Sequence, residues 1–293
     1  MNKIGKIIFY NYGHNGDIHY SRNFVKNILM NTSVPAEYKF NGSFKLVKDI
    51  ENVSFSPNTF SSISNNELLY DNVHETLLIN TWIGSSGAKF IQNEVGCSLT
   101  ANYEKFKHIY SALKLNYEKP EFYIPEINWQ KYDIHFIDQF LAANKFDKYV
   151  LISNGNVLSG QSTNFNFDEV IRALSTKNKN IAFVLTDNKN RLDAANIFYT
   201  SDFIKTKDGD LNEIGYLGTK CSLIVGRGSG PFCFCHNKET LFNKNITFLA
   251  LTKYRNDGLW ALPEQLPENQ ANQIWSNQFD NNSIYSIINE QLK

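Results

Sequence analysis

Two loops rich in glycine and serine in the second half of the chain carry groups suited to binding phosphate. The first follows an apolar run and contains Ser153, Asn154, Gly155, Gly160, Gln161 and Ser162. The second follows another apolar run and contains Arg227, Gly228, Ser229 and Gly230. Hydroxyls, backbone N–H groups and a guanidinium all donate hydrogen bonds to phosphate oxygens. We predict that the two loops bind a nucleoside diphosphate; tight turns and plain surface loops are the alternatives. Neither loop has the order of a P-loop or a dinucleotide fingerprint.

A second group of polar residues lies near the start of the chain, in the sequence Asn15-Gly16-Asp17-Ile18-His19. Asp17 stands where a helical pattern begins, so its carboxylate either caps that helix or acts as a general base toward an acceptor hydroxyl. We predict that residues nearby in sequence, together with a tryptophan at the end of a later apolar run, contact the acceptor. These residues are His14, His19, Arg22 and Trp82. Core packing is the alternative for the tryptophan ring, whose flat face could otherwise lie against a sugar.

Other motifs favour structural roles. Asp208-Gly209-Asp210 has the form of a metal-binding D-x-D motif. However, Asp210 directly precedes a helical pattern with Glu213 three residues later, as in a capping box. Cys233 and Cys235 lack the usual spacing of zinc ligands and lie in an apolar stretch. We therefore predict neither a metal site nor a cofactor.

Alternating strand and helix patterns position these groups. An apolar run at 4–10 leads through a glycine turn into a helical pattern, and a second strand pattern covers 75–84. The second half repeats the alternation, with strands expected at 148–153, 180–185, 221–226 and 245–251, and helices at 165–176, 267–278 and 283–292. Such alternation is typical of α/β domains, whose ligands bind at the carboxyl ends of parallel strands. A proline-bearing, aromatic segment at 117–133 is the expected linker, which gives Rossmann-like domains at 1–125 and 134–293.

Composition excludes several classes of protein. The 293 residues include 29 basic and 29 acidic side chains, so no net positive charge attracts nucleic acid. The hydrophobic fraction of 42% is sufficient for folded cores. No apolar run approaches the roughly 18 residues of a membrane span, although a local patch could still touch a membrane surface. Four cysteines suit a reducing compartment, and we expect a cytoplasmic protein.

The motif around Asp17 and the second glycine-rich loop, around Ser229, resemble motifs of the heptosyltransferase-like glycosyltransferases of the GT-B architecture. The resemblance implies two Rossmann-like domains facing across a cleft, with the acceptor bound by the first and the nucleotide sugar by the second. Asp17 in Asn15–His19 matches the aspartate assigned in that family as the catalytic base. Ser229-Gly230 matches the centre of the family's Asp-Ser-Gly-x-x-His loop, which binds the donor's phosphates. Gly228 and Cys233 depart from it, because they replace the acidic residue and the histidine.

The function implied by this resemblance is metal-independent transfer of a hexosyl or heptosyl group from a nucleotide sugar to a hydroxyl of a glycan or glycolipid. Assembly of a surface polysaccharide or lipopolysaccharide is the expected setting. A single candidate base favours inversion by direct displacement. Two alternatives remain open: a nucleotide-sugar epimerase or hydrolase of the same architecture, and a non-catalytic module that binds nucleotides or glycans.

Overall fold

A computed structural model describes residues 3–60, 68–82, 107, 109–111, 113–114, 124–158, 160–206, 209–255 and 270–293. The chain divides into two compact units, Met1–Ile127 and Asn128–Lys293. Each unit is built around its own mostly parallel sheet. No helix in the described ranges is both long and apolar enough to cross a membrane.

The first unit contains a five-stranded sheet in the order β3-β2-β1-β5-β4. Its strands are β1 Lys6–Tyr10, β2 Ala36–Lys39, β3 Ser54–Ser56, β4 Leu68–Asp71 and β5 Thr76–Asn80. Only β4 runs antiparallel to its neighbour. Helix α1, Asn15–Met30, connects β1 to β2, and a short 3-10 helix, Phe44–Val47, follows β2. Because the apolar side chains of α1 recur at helical spacing, one face of the helix is buried, including Ile18, Phe24, Val25 and Ile28.

The second unit contains a six-stranded, entirely parallel sheet in the order β11-β10-β9-β6-β7-β8. Its strands are β6 Lys148–Ser153, β7 Ile181–Leu185, β8 Ile197–Tyr199, β9 Leu223–Gly226, β10 Thr247–Leu251 and β11 Asn272–Ser276. The helices are α2 His135–Ala143, α3 Asp168–Lys177, α4 Thr200–Phe203, α5 Leu211–Gly218, α6 Gly230–Phe234, α7 Lys238–Leu241 and α8 Asn281–Gln291, with a 3-10 turn at Trp129–Lys131. Every residue of β7 and of β9 is buried, as expected for strands covered on both faces.

The strand order of the second unit is that of a Rossmann fold, because its strands lie in the order 3-2-1-4-5-6 when they are counted from β6. The order reverses between β6 and β9, which pair directly, with Ser153 opposite Gly226. In the first unit the corresponding reversal lies between β1 and β5, where Tyr10 is opposite Asn80. In open α/β sheets such switch points open a crevice at the carboxyl ends of the strands, and ligands bind there.

The predicted α/β class and most of the predicted elements are confirmed. One element is wrong: residues 272–276 form the edge strand β11, not part of a helix at 267–278. This strand is short and only partly buried, and its backbone partners come from β10, so its local pattern is weak. The final predicted helix, 283–292, is confirmed as α8.

Candidate functional site

The two predicted phosphate-binding loops meet at the switch point of the second unit. Ser153 ends β6 and Ser229 follows β9, and their hydroxyl oxygens are hydrogen-bonded at 2.8 Å. The Gln161 amide donates to the carbonyl of Gly228 at 3.0 Å. Gly228 has a φ of +70°, a backbone conformation that favours glycine. Residues 67 to 76 positions apart in the sequence therefore form one surface at the carboxyl edge of the sheet.

Hydrogen bonds join several described residues of the first loop to the ends of neighbouring strands. Ser162 is buried, and its hydroxyl donates to the Leu251 carbonyl at 2.7 Å. The Lys253 N–H donates to the Gln161 carbonyl at 2.9 Å. Asn154 exchanges two hydrogen bonds with the backbone of Asp187. Gly160 is exposed, and a Cβ added there would meet no heavy atom within 4 Å. The loop is thus fixed at its base and open at its tip.

The surroundings of Arg227 do not fit the phosphate-binding role predicted for it. Its side chain is fully buried, and the guanidinium donates to the carbonyls of Asn154 and Gly155, at 3.0 and 2.8 Å, and to that of Phe165. Burial lowers the pKa of Arg227 to about 10, so it remains charged at neutral pH. The guanidinium therefore holds the loop and does not point out toward a ligand.

Asp187 is a candidate site residue that the sequence analysis missed. It follows β7, the second strand of the Rossmann order, where an acidic residue commonly binds a ribose hydroxyl. One carboxylate oxygen accepts the Lys189 N–H at 3.0 Å, and the other has no hydrogen bond among the described residues. A Cβ added to Gly155 would lie 3.6 Å from that second oxygen, so Asp187 borders the first loop. An acidic residue two positions beyond the second predicted strand was the signal available in the sequence.

Asp17 lies at the switch point of the first unit, in the first turn of α1. Its Oδ2 accepts the backbone N–H of His14 at 2.8 Å, which is one half of a capping box. Gly13 passes so close that a Cβ added there would lie 2.4 Å from the same oxygen. A carboxylate has about four lone-pair sites, so a capping bond to His14 and acceptance of a proton by Asp17 are compatible.

A buried polar network supports the loop that carries Asp17. The Asn11 amide donates to the Thr81 hydroxyl at 3.0 Å, and the Tyr38 hydroxyl bonds both Thr81 and Ser21. The Asn11 side-chain oxygen also accepts the Gly13 N–H at 2.7 Å. Burial raises the pKa of Tyr38, so its hydroxyl stays protonated. The network joins the carboxyl ends of β1, β2 and β5 and fixes the backbone next to Asp17.

The four residues predicted to contact the acceptor separate into two pairs. His14 is exposed and Trp82 is half-buried, with its ring centre 6.4 Å from that of Tyr12 in an edge-to-face arrangement. His19 and Arg22 are fully buried on the inner face of α1. Arg22 forms an ion pair with Asp49 at 3.0 Å, in which both side chains are inaccessible to solvent. The first pair can reach a ligand, whereas the second pair belongs to the core of the unit.

The D-x-D motif and the cysteines, for which the sequence favours structural roles, lie away from any metal-binding arrangement among the described residues. Asp210 stands at the start of α5, but its side chain does not cap the helix, and burial raises its pKa. Glu213 instead accepts the Asp133 N–H at 3.1 Å, so the predicted capping box does not form. Asp208 lies outside the described residues. Cys233 is buried, and its thiol donates to the Gly228 carbonyl at 3.5 Å. Among the described residues, no cluster of three His, Cys, Asp or Glu side chains is placed to hold a metal ion.

No protein-family profile matches the chain, and no curated protein matches its sequence. Solved structures do match it. The E. coli heptosyltransferase WaaC, solved with ADP-2-deoxy-2-fluoro heptose, gives a TM-score of 0.52 at 10% identity, over 97% of this chain and 99% of that one. A glycosyl transferase family 9 protein from Veillonella parvula gives 0.53 at 12% identity, over 99% and 91%. The chain has the α/β fold of these GT-B glycosyltransferases. This confirms the predicted resemblance at the level of the fold.

A third match is to a protein of different description. S. aureus MnaA, solved with UDP, gives a TM-score of 0.53 at 13% identity, over 99% of this chain and 88% of that one. Identities of 10–13% establish the fold. A shared fold does not determine the chemistry, which depends on the residues at the site.

Proposed function

We propose that this chain is a metal-independent glycosyltransferase that moves a hexosyl or heptosyl group from a nucleotide sugar to a hydroxyl of a glycan or glycolipid. Within this proposal the second unit binds the donor and the first unit binds the acceptor. The reaction would proceed with inversion in the cytoplasm, during assembly of a surface polysaccharide or lipopolysaccharide. The chain's solved neighbours include proteins solved with an ADP-sugar analogue and with UDP, which agrees with a nucleotide donor.

The observation that carries the proposal is the contact between Ser153 and Ser229 at the β6/β9 switch point. Two hydroxyls, the turn at Gly228 and the backbone at Gly230 offer several hydrogen-bond donors at the place where open α/β sheets bind phosphates. Asp187 lies beside Gly155 of the first loop, and we propose that its carboxylate binds the ribose of the donor. We propose that Asn154, Gly155, Gly160 and Gln161 complete the donor site, while Ser162, which is buried and bonded to the Leu251 carbonyl, anchors the first loop. Arg227 contributes to it through the loop that it holds.

Asp17 is the proposed general base. As the acceptor hydroxyl attacks the anomeric carbon, the bond from that carbon to the diphosphate breaks, and the hydroxyl proton passes to the Asp17 carboxylate. The diphosphate leaves with the electron pair of the broken bond, and hydrogen-bond donors of the second unit would stabilise its charge. We propose that His14 and Trp82 contact the acceptor, while Arg22 and His19 keep α1 in place.

The proposal is tested first by thermal unfolding in the presence of UDP, GDP, CDP, CMP, ADP or dTDP, each with EDTA and with Mg²⁺. A ligand that binds only the folded state adds about 2.7 kcal/mol at 100 times its dissociation constant. We expect one nucleoside diphosphate to raise the unfolding midpoint equally in both buffers. The corresponding nucleotide sugar should then be turned over with a panel of glycan acceptors in EDTA. Stabilisation by none of the nucleotides would refute the proposal.

A non-catalytic nucleotide- or glycan-binding module is the second candidate. It is favoured by the capping bond of Asp17 and by Gly228 and Cys233, which replace the acidic residue and histidine of the related motif. An epimerase or hydrolase of the same architecture would consume the nucleotide sugar without an acceptor. Asp17→Asn separates the transferase from the binding module. The change should abolish transfer in a transferase, whereas a binding module would show no turnover before or after it.

A further inference from the structure

Arg227 joins the two ends of one loop. The loop after β6 leaves the strand with residues 154–158 and returns toward α3 with residues 160–165. One terminal nitrogen of Arg227 donates to the carbonyls of Asn154 and Gly155 at the start of this loop, and the other donates to the carbonyl of Phe165 at its end. A planar guanidinium with donors on two sides can make such a bridge, whereas the single ammonium group of a lysine cannot. A single side chain, from the turn after β9, therefore holds together the two ends of the loop after β6. These two ends, at Asn154–Gly155 and at Phe165, are the neck of the loop.

The environment of this guanidinium is unusual for a buried cation. Its carbon lies 4.2 Å from the ring centre of Phe165 and 4.6 Å from that of Phe167. No carboxylate pairs with it in the described part of the chain, and its Nε–H has no acceptor there. Backbone carbonyls and aromatic faces are therefore what satisfies its charge. A buried cation held in this way depends on the loop's being closed, because opening the neck removes its acceptors.

We propose that Arg227 is a positioning residue: it keeps the Asn154–Phe165 loop in the conformation that binds the donor's diphosphate. This inference rests on the proposed function of the second unit. The loop carries Gln161, which contacts the Gly228 carbonyl, and it begins directly after Ser153, which contacts Ser229. An open neck would therefore release one side of the donor site while leaving the sheet beneath it intact.

The consequence for binding follows from the population of the closed loop. If only a tenth of the molecules have the loop closed, the apparent dissociation constant rises about tenfold, because ligand binds only that fraction. A loop held closed before the ligand arrives avoids this loss. The effect requires no contact between Arg227 and the ligand.

The test compares Arg227→Lys and Arg227→Met with the natural chain, and uses Arg172→Lys, on the exposed side of α3, as the matched control. The probe is UDP or ADP, whichever binds the natural chain more tightly, measured by calorimetry. Hydrogen–deuterium exchange at Val157 and Phe165 reports the loop, because the first amide donates across it to Asn164 at 2.8 Å and the second donates to Thr163. We expect both Arg227 variants to bind about tenfold more weakly and to lose protection at these amides only. Saturating nucleotide should restore that protection.

The outcomes distinguish failure of the proposed donor site from failure of the role of Arg227. If the natural chain binds neither nucleotide, the proposed donor site fails and this inference fails with it. If Arg227→Lys binds as tightly as the natural chain and keeps the loop protected, the donor site stands and the neck-closing role is overturned. If neither variant folds, exchange in the ligand-free natural chain decides. Slow exchange at Val157 and Phe165 supports a loop closed in advance, and fast exchange overturns it.

Discussion

A methyl group at Gly13 would collide with the carboxylate of Asp17, and this offers a way to move the proposed base without changing it. An added Cβ would lie 2.4 Å from Oδ2, 2.5 Å from Cγ and 2.6 Å from Cβ of Asp17, where ordinary contacts begin at 3.4 Å. Because the clashing atoms include the Asp17 Cβ, rotation of the side chain cannot relieve the contact in Gly13→Ala. The first turn of α1 must therefore shift, with its carboxylate, by about 1 Å, and displacements of that size cost on the order of 100-fold in rate. The φ of Gly13 is not in the left-handed region, so the substitution acts through steric contact alone.

We expect Gly13→Ala to lower kcat/KM for sugar transfer about 100-fold. The free energy of unfolding should fall by only about 1–3 kcal/mol, from crowding and from a weakened cap. Asp17→Asn should lower the rate at least as far, and the double variant no further, because both changes act on the same carboxylate. Gly5→Ala is the control, since its nearest contact is the end of the flexible Glu75 side chain, at 3.3 Å.

The assay measures release of nucleoside diphosphate from the matching nucleotide sugar at saturating acceptor, and urea unfolding of each variant follows in parallel. The reasoning is refuted if Gly13→Ala loses stability as expected but transfers sugar at the natural rate. In that case Asp17 would serve only as a helix cap.

Three further predictions concern stability and the donor site. Asp49→Asn leaves the buried Arg22 without its charge partner, so urea unfolding should show a loss of about 3–5 kcal/mol; a loss below about 1 kcal/mol would contradict the core role of that pair. Burial lowers the pKa of His236 to about 3, so the unfolded chain binds a proton that the folded chain does not as pH falls below about 6.5. The free energy of unfolding should therefore drop by about 2 kcal/mol from pH 6.5 to 4.5, and His236→Gln should remove that part of the slope. Asp187→Asn should weaken binding of the preferred nucleoside diphosphate about tenfold, from the loss of a charge-assisted bond to ribose, and leave inorganic pyrophosphate unaffected; equal losses for both ligands would exclude the ribose contact.

The sequence was sufficient for the fold because the buried strands are strongly patterned. In β6, β7 and β10 the apolar runs are nearly continuous, as parallel strands covered on both faces require, and their predicted bounds lie within two residues of those observed. The edge strand β11 was missed because half-buried residues such as Gln273 and Trp275 carry little local signal. Its pairing with β10 is a tertiary contact, which no local pattern contains.

The candidate site was predictable in its location but not in the orientation of each side chain. Glycine loops after apolar runs indicated the carboxyl edge of the sheet, and Ser153 and Ser229 do meet there. Residue type alone could not distinguish an arginine that faces a phosphate from one that holds a loop, as Arg227 does. The same limit applies to Arg22, because its burial depends on Asp49, which is 27 positions away in the sequence.

The most direct test of the donor site is calorimetric titration, in EDTA, of the nucleoside diphosphate that most stabilises the chain. The natural chain is compared with Ser153→Ala, Ser229→Ala and the double variant. Ser222→Ala, at the opposite end of β9, serves as the control. We predict that each single change weakens binding by about 1 kcal/mol, that the two losses are not additive because the hydroxyls bond each other, and that Ser222→Ala changes nothing. Equal affinity in all five proteins would contradict a donor site at the β6/β9 switch point.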